Sequence, residues 1–507
     1  MEKDMILVVD CGSTKIGALA IDSKGKVVAS RSVPNASTPQ KGRPDWVIWD
    51  FEALWRKITM VTRPVMKKID RERLRAVIPV TWGADGGLLD RKGRLLYPII
   101  SWQCPRTRKT AEEILKRKSA WEIYRITGYP VIPFNTLVRL IWYRRHYGRL
   151  LGRAYRMVHM AGLVGLKLTG EMSIERTLGS TGMHMDLAKN DWSREMLKLA
   201  NVDENIFPKW SLSWDVIGHV LPSASRETGI PANTPVCAGG HDTQFAAVGS
   251  GTETGEMLLS SGTWEVLMTR ARSFTPSREA LASGIVWEIA AEPGLYDPQM
   301  LMMGSAVLEW IGRYFYGSLR GKESLYRAMI EEGGTVTSGA KGLFIVPAFV
   351  QGSGPSRKWS SAGSILGLSL TTTRAQVYRA ALEGLSFQLR QALESLATCT
   401  GLRPKAVRVV GGGSKNPLWN QIRSDVTGLP IRTIEETQAT ALGAAIAGFV
   451  GTGYYASVEE AKKAIRWPGR TIFPSKAQAS YEQLFRKYSL IPTSLKRFYE
   501  SPYQDAT

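Results

Sequence analysis

Apolar residues in this chain come in short runs punctuated by small-residue turns. Ile6 to Val9 predicts a buried strand, Ile16 to Ile21 a second and Val27 to Ser30 a third, with Ser23-Lys24-Gly25-Lys26 as the turn between the last two. The loop between the first two strands is Asp10-Cys11-Gly12-Ser13-Thr14-Lys15. The same order restarts at Glu256: Met257 to Leu259 is apolar, Ser260 to Thr263 is small and polar, and Glu265 to Met268 returns as an apolar run. Two halves that each open with strand, turn and strand form a weak internal repeat. The Pro-, Ser-, Thr- and Gly-rich stretch from Leu221 to Pro235 puts the crossing between halves near residues 221–256. The expected domains are 1–245 and 246–507.

Between the first strands and the crossing, Leu74 to Val80 and Leu88 to Leu89 predict strands, the latter turning at Arg91-Lys92-Gly93 into a strand over Leu95 to Tyr97. In the second half, Val407 to Val410 predicts a buried strand that runs into Gly411-Gly412-Gly413-Ser414-Lys415. Asn416-Pro417 then supplies a cap and a first-turn proline for a helix through Trp419, Ile422 and Val426. Strand, glycine loop and helix start together suit an anion, because free N–H groups and the helix dipole point outward there. Thr440 to Ala445 is a small-residue helix that permits close approach of a neighbour or a ligand.

Composition adds bounds to this α/β pattern. The chain has 507 residues, 44% hydrophobic and 22% charged, ordinary globular material for two to four domains. Its opening residues are too few and too acidic for a signal peptide, and no run of about eighteen apolar residues occurs. The four cysteines, Cys11, Cys104, Cys237 and Cys399, have no disulfide or zinc spacing, which fits a reducing cytoplasm. The net charge of +21 raises the question of a nucleic-acid partner. However, the basic residues are spread along Arg106 to Lys118 and Arg139 to Arg156, interleaved with Leu137, Leu140 and Ile141 at helical spacing. That is the pattern of solvated helix faces, so neither nucleic acid nor membrane is the expected partner.

The turns carry the candidate chemistry. Asp10 ends an apolar strand, where a carboxylate is costly unless it meets a cation or donors, so it reads as a magnesium site or as a turn cap. Ser13, Thr14 and Lys15 offer hydroxyls, N–H groups and a cation to a phosphate. A Walker P-loop is absent from the sequence. Asp242, after Gly239-Gly240-His241, reads as a base that takes the proton of an acceptor hydroxyl, or as the N-cap of a helix over Thr243 to Val248. Asp85, in Trp82-Gly83-Ala84-Asp85-Gly86-Gly87, reads as a holder of sugar hydroxyls or as turn chemistry. Ser101 to Thr107 joins Trp102 and Gln103 to Arg106, a set that suits a polyol by stacking and forked hydrogen bonds.

Taken together these segments resemble the FGGY carbohydrate kinases of the actin-like ATPase superfamily. The likeness runs through Asp10 to Thr14, Trp82 to Asp90, Gly239 to Gln244, Ser260 to Glu265 and Gly411 to Asn416. Gly363 to Leu368, a seven-residue gap and Gln376 to Glu383 match the family's C-terminal signature. Tyr97 to Thr107, Phe134 to Leu137, Gly240 to Ala246 and Leu382 to Leu385 are most similar to its fuculose-phosphorylating branch. The resemblance implies two ribonuclease-H-like domains, each with a mixed five-stranded sheet, and an interdomain catalytic cleft, with sugar mainly on the first domain and ATP on the second. It implies phosphorylation of O1 of L-fuculose, with L-rhamnulose, D-ribulose and D-xylulose as other acceptors and a non-catalytic sensor as the alternative of another class. Asp242 would be the base and Asp10 would hold Mg²⁺. Ser13, Thr14, Lys15, Gly262 and Thr263 would surround the phosphates, and Gly412, Gly413 and Asn416 would flank the nucleotide. Asp85, Trp102, His241 and Gln244 would meet the sugar.

Overall fold

The computed structural model describes residues 3–253, 255–317, 321–350, 352–434 and 438–500. Two mixed sheets form its frame. The first contains β1 (Met5–Cys11), β2 (Lys15–Asp22), β3 (Val27–Pro34), β4 (Leu74–Thr81), β5 (Val216–His219), β6 (Pro235–Cys237) and β7 (Gly240–His241). Their order is β5-β6-β4-β1-β2-β3, with β7 also paired to β4. The second contains β8 (Glu256–Ser261), β9 (Trp264–Met268), β10 (Ile285–Ile289), β11 (Tyr296–Met303), β12 (Ala406–Val410), β13 (Ile431–Ile434) and β14 (Gly469–Ile472), in the order β10-β11-β9-β8-β12-β13-β14. The repeat seen in the sequence is therefore real. In each half the first strand lies between an antiparallel second strand and a parallel strand that returns by a crossover. The expected five strands are the centre of each sheet; both carry additional edge strands and number seven. Leu95 to Tyr97 does not make a strand, because only Leu95 bridges back to Leu89 after the Asp90 turn.

β1 reads as an unbroken apolar run because both of its faces are covered. Leu7 and Val9 face Leu54, Ile58 and Val61 of α1 (Phe51–Lys68), while Ile6 and Val8 share the opposite core with Phe245 and Val248 of α2 (Asp242–Gly249). The second sheet buries Met257, Leu259 and Val409 against Leu389, Leu393 and Leu396 of α3 (Arg374–Thr400). Ala247 of α2 joins Leu258 and Val410 on its other face, so α2 lies between the two sheets. The Asn416 cap and Pro417 start were legible in the sequence: α4 (Pro417–Thr427) begins there, with Asn416 Oδ1 accepting from the Trp419 N–H at 3.0 Å.

The small-residue segment is α5 (Ala439–Gly451), and its neighbour is a helix. It crosses α2 backbone to backbone: a Cβ on Gly443 would stand 1.9 Å from the Phe245 carbonyl oxygen, and one on Gly249 would stand 1.8 Å from that of Ala439. α5 comes from the second half of the chain yet packs on β4 and β1 of the first sheet. The boundary expected at 245/246 falls inside α2. No helix among the described residues is long and apolar enough to cross a membrane. Gly443→Ala is expected to lower the urea unfolding midpoint, with a loss of about 1–3 kcal/mol or more from overpacking. Gly152→Ala, whose Cβ would meet nothing within 4 Å, is expected to be neutral or mildly stabilising. An equal midpoint for the two variants would rule out a tight crossing.

Candidate active site

The turns singled out in the sequence gather at the ends of the parallel strands. Asp10 is paired with Val80 of β4, and on the other side of β4 the same Val80 is paired with Gly240. Two glycines make the second turn possible. Gly239 has φ 74° and a Cβ there would lie 1.6 Å from the Pro79 carbonyl oxygen; Gly240 has φ 157° and no room beside Glu175 and Thr177. The turn delivers Asp242 to the first residue of α2. There Asp242 Oδ1 accepts from its neighbour's N–H, Thr243, at 2.7 Å. A cap would reach two or three residues on, so the capping alternative does not describe this carboxylate.

Asp10 takes no side-chain hydrogen bond from any described residue. Burial and the charge of Asp242 raise its carboxyl to about 7, with Lys15 opposing. Burial also raises Asp242, against the pull of His241. His241 has Nδ1 2.9 Å from Glu288 Oε2 and Nε2 3.4 Å from Asp242 Oδ1. Burial alone would depress the imidazolium, but Glu288, Asp242 and Glu175 carry it up to about 9. Glu288 belongs to β10 in the second sheet and also accepts from Gln244 Nε2 at 2.6 Å and from the Tyr129 hydroxyl. Burial would raise it, and those donors together with His241 hold it below the ordinary glutamate value.

The phosphate-type turns also meet. Gly411, at φ 86°, lies against the Ser261 carbonyl, and a Cβ on Gly413 would stand 2.0 Å from Ser261 Oγ. Gly262 and Thr263 stand beside them, held by Ser305 and Ala306 N–H groups. Beneath them Glu265 accepts from Ser261 Oγ at 2.6 Å and from Arg423, whose guanidinium lies 3.6 Å from the Trp419 ring centre. Gly412 is open to solvent, and Ser13, Thr14 and Lys15 edge the opposite turn, which Asn35 pins through the Gly12 carbonyl at 2.9 Å. Asn416 has both ends of its amide engaged, by the α4 cap and by the Tyr378 hydroxyl.

The four residues expected at the sugar separate. His241 and Thr243 line an interdomain cavity of about 380 Å³ together with Tyr129, Phe134, Trp264 and Arg357. Trp102 is exposed and meets Phe134 edge-on at 6.4 Å. Gln244 is buried on Glu288. Asp85 is fully buried and already carries four donors: Trp49 Nε1 at 2.6 Å, Trp82 Nε1 at 2.8 Å, Trp102 N–H at 3.1 Å and Arg139 Nη2 at 2.6 Å. Three of these converge on Oδ2 and Arg139 takes Oδ1, so Asp85 braces the Trp82 and Trp102 loops from a site closed to solvent. Arg106, grouped with Trp102 by its place in sequence, is instead stacked at 4.2 Å from the Trp46 ring. Glu288, Arg139, Glu265 and Arg423 were missed by the sequence reading. For Glu288 in Ile285 to Ile289 and Glu265 in Trp264 to Met268 the signal was a lone charge in an apolar segment.

The N-terminal-domain model of the FGGY family of carbohydrate kinases matches residues 5–249, and its C-terminal-domain model matches residues 257–452. The chain belongs to the FGGY family of carbohydrate kinases. Among its FGGY relatives, the L-fuculokinase of Escherichia coli strain K12 is 35% identical over 474 residues, 94% of this chain and 98% of that one. The L-fuculokinase of Salmonella typhi is 34% identical over 476 residues, with the same coverage. In fold the chain is similar to the xylulose kinase from Rhodospirillum rubrum, with a TM-score of 0.88, 24% identity and coverage of 98% and 99% of the two chains. The Plasmodium falciparum glycerol kinase solved with ADP gives a TM-score of 0.85 at 19% identity, covering 97% and 98%. The two-domain α/β fold is thus that of the actin-like FGGY kinases, and the protein is a carbohydrate kinase with ATP as phosphoryl donor.

The Asp85–Arg139 pair gives a direct test of the brace. Arg139→Met strands a fully buried carboxylate and is expected to cost about 3–5 kcal/mol in denaturant unfolding. The double variant Asp85→Asn/Arg139→Met is expected to recover part of that loss. A single variant as stable as the parent would mean that the pair carries no weight.

Proposed function

We propose that the protein transfers the γ-phosphoryl group of ATP to O1 of L-fuculose, giving L-fuculose 1-phosphate, with Mg²⁺ bound at Asp10. The observation that carries the chemistry is Asp242: a partly exposed carboxylate at the head of α2, 3.4 Å from His241, whose neighbours His241 and Thr243 line a cavity formed by both domains. In this reading Asp242 accepts the proton of the sugar's O1 hydroxyl as the oxygen attacks phosphorus. Ser13, Thr14, Lys15, Gly262 and Thr263 surround the phosphates, and Gly412, Gly413 and Asn416 flank the nucleotide. Trp102 and His241 meet the sugar, with Asp85 and Gln244 holding them from behind.

The donor set suits a hydrated magnesium ion. Asp10 has no protein donor among the described residues, and its repulsion with Asp242 is offset by Lys15 alone. A cation held through water by one carboxylate and by phosphates needs little more. When bound it would neutralise charge on the phosphate oxygens.

For the choice of sugar, support comes from the identity with L-fuculokinases, 35% against 25% for the Bacillus subtilis xylulose kinase. The cavity adds a second argument. Ile132, Val266, Val286 and Leu301 line it, apolar surface suited to the methyl end of a deoxy sugar. One such group is worth about 1–3 kcal/mol, or roughly 10–200-fold in kcat/KM.

ADP release measured with L-fuculose, L-rhamnulose, D-ribulose and D-xylulose tests the reading. The expected order puts L-fuculose first and the two pentuloses last; a preferred pentulose would overturn the substrate. Asp242→Asn is expected to lower kcat by about a hundredfold or more while ATP still binds. Near-parental turnover would remove Asp242 from its role.

A further inference from the structure

We propose that Glu288 is a positioning residue of the reaction: reaching from the second domain, it holds His241 with Nε2 turned toward Asp242, so the base is completed by the domain across the cleft. This rests on the reading of Asp242 as the base.

The geometry runs in one line. Glu288 Oε2 meets His241 Nδ1 at 2.9 Å, and His241 Nε2 stands 3.4 Å from Asp242 Oδ1. A carboxylate on Nδ1 fixes that nitrogen as the protonated one, so Nε2 carries a proton toward Asp242 only while the ring is an imidazolium. If the ring is neutral, Nε2 presents a lone pair to a carboxylate oxygen and the contact turns repulsive. Glu288 is 1% exposed, and its oxygens are committed to His241, Gln244 and Tyr129. Two of these, His241 and Gln244, flank Asp242, and Tyr129 lines the same cavity. Asp297, directly opposite Glu288, pairs instead with Arg270 of its own domain, just past the end of β9, at 3.1 Å.

The charges around His241 agree with this. Glu288 faces it from β10, Asp242 from α2, and Glu175 stands behind Gly240, where its own oxygens serve Thr177, Leu178 and Ser213. Removal of the Glu288 charge takes away the largest contribution that keeps the ring protonated, leaving burial to oppose it. The sign follows: His241 is held up to about 9, so its proton is present at neutral pH and lost on going alkaline. Without Glu288 that loss moves to lower pH.

The test uses the full chain. Imidazole NMR of the parent protein, with the His241 signal assigned by its disappearance in His241→Gln, is expected to show His241 titrating near 9. A value at or below that of an ordinary histidine, about 6.5, overturns the proposal before any variant is made. In Glu288→Gln the titration is expected to fall by about one unit or more. The alkaline limb of the kcat–pH profile should fall with it, kcat at pH 8 should drop about twofold for a fall of one unit and about tenfold for two, and KM for ATP should stay within about twofold. Glu288→Asp keeps the charge and is expected to keep both limbs near the parent's. An unmoved His241 titration in Glu288→Gln, or a loss of kcat with an unmoved limb, assigns Glu288 a structural role only and overturns the proposal. A parent enzyme silent on every ketose would defeat the functional reading, whereas the His241 titration would still decide this one.

Discussion

No side chain fits where α2 and α5 cross, and much of the molecule follows from that. Gly249 and Gly443 let the two backbones touch, so a helix from the second half of the chain lies flat on β1 and β4 of the first sheet. The halves are interlocked there, not joined by a single connection. α2 is pressed between both sheets, with Phe245 and Val248 in one core and Ala247 in the other. Its first residue is Asp242. The same contact that fixes the packing of the halves thereby fixes where the carboxylate proposed as the base stands.

Around that residue, charge is buried in pairs. Asp85 is met by Arg139, Glu265 by Arg423, and Glu288 by His241. A carboxylate taken out of water costs several kcal/mol unless donors satisfy it, so each pairing is a condition of folding. Asp10 departs from the rule. It sits in the same low-dielectric region with like charge nearby and no hydrogen-bond donor among the described residues. Its carboxylate is thus left without a protein donor at the start of the Ser13 to Lys15 turn.

What was legible in the sequence is what local rules decide. β1, β2 and β3, the turns at Asp10 and Gly239, the Asn416 cap and the small-residue character of α5 are each set by neighbours a few residues away. The failures involve partners far along the chain. Asp85 stands 54 residues from Arg139, and Glu288 stands 47 residues from His241. Nothing in the surroundings of either acid names its partner, so Asp85 read equally as a sugar ligand and as turn chemistry. Arg106 failed for the same reason, since its neighbour in sequence is Trp102 and its neighbour in space is Trp46. Short strands such as β6 and β7 escaped because they pair with β4 over one or two residues, with no periodicity of their own.

Magnitudes decide what sets the charge balance at Asp242. At the head of α2 it gains from the helix dipole, but that is worth only about 0.3–1 kcal/mol, less than one pKa unit. Burial works against ionisation and can amount to several units for an enclosed carboxylate. A cation within about 4–6 Å shifts a carboxylate down by about 1–3 units, and His241 is the cation at that distance. The helix therefore orients Asp242, while the neighbouring imidazolium pulls its carboxyl down against burial, which still holds it above the ordinary aspartate value. Since the counter-charge of that imidazolium comes from β10, the second domain reaches the electrostatics of Asp242 through His241.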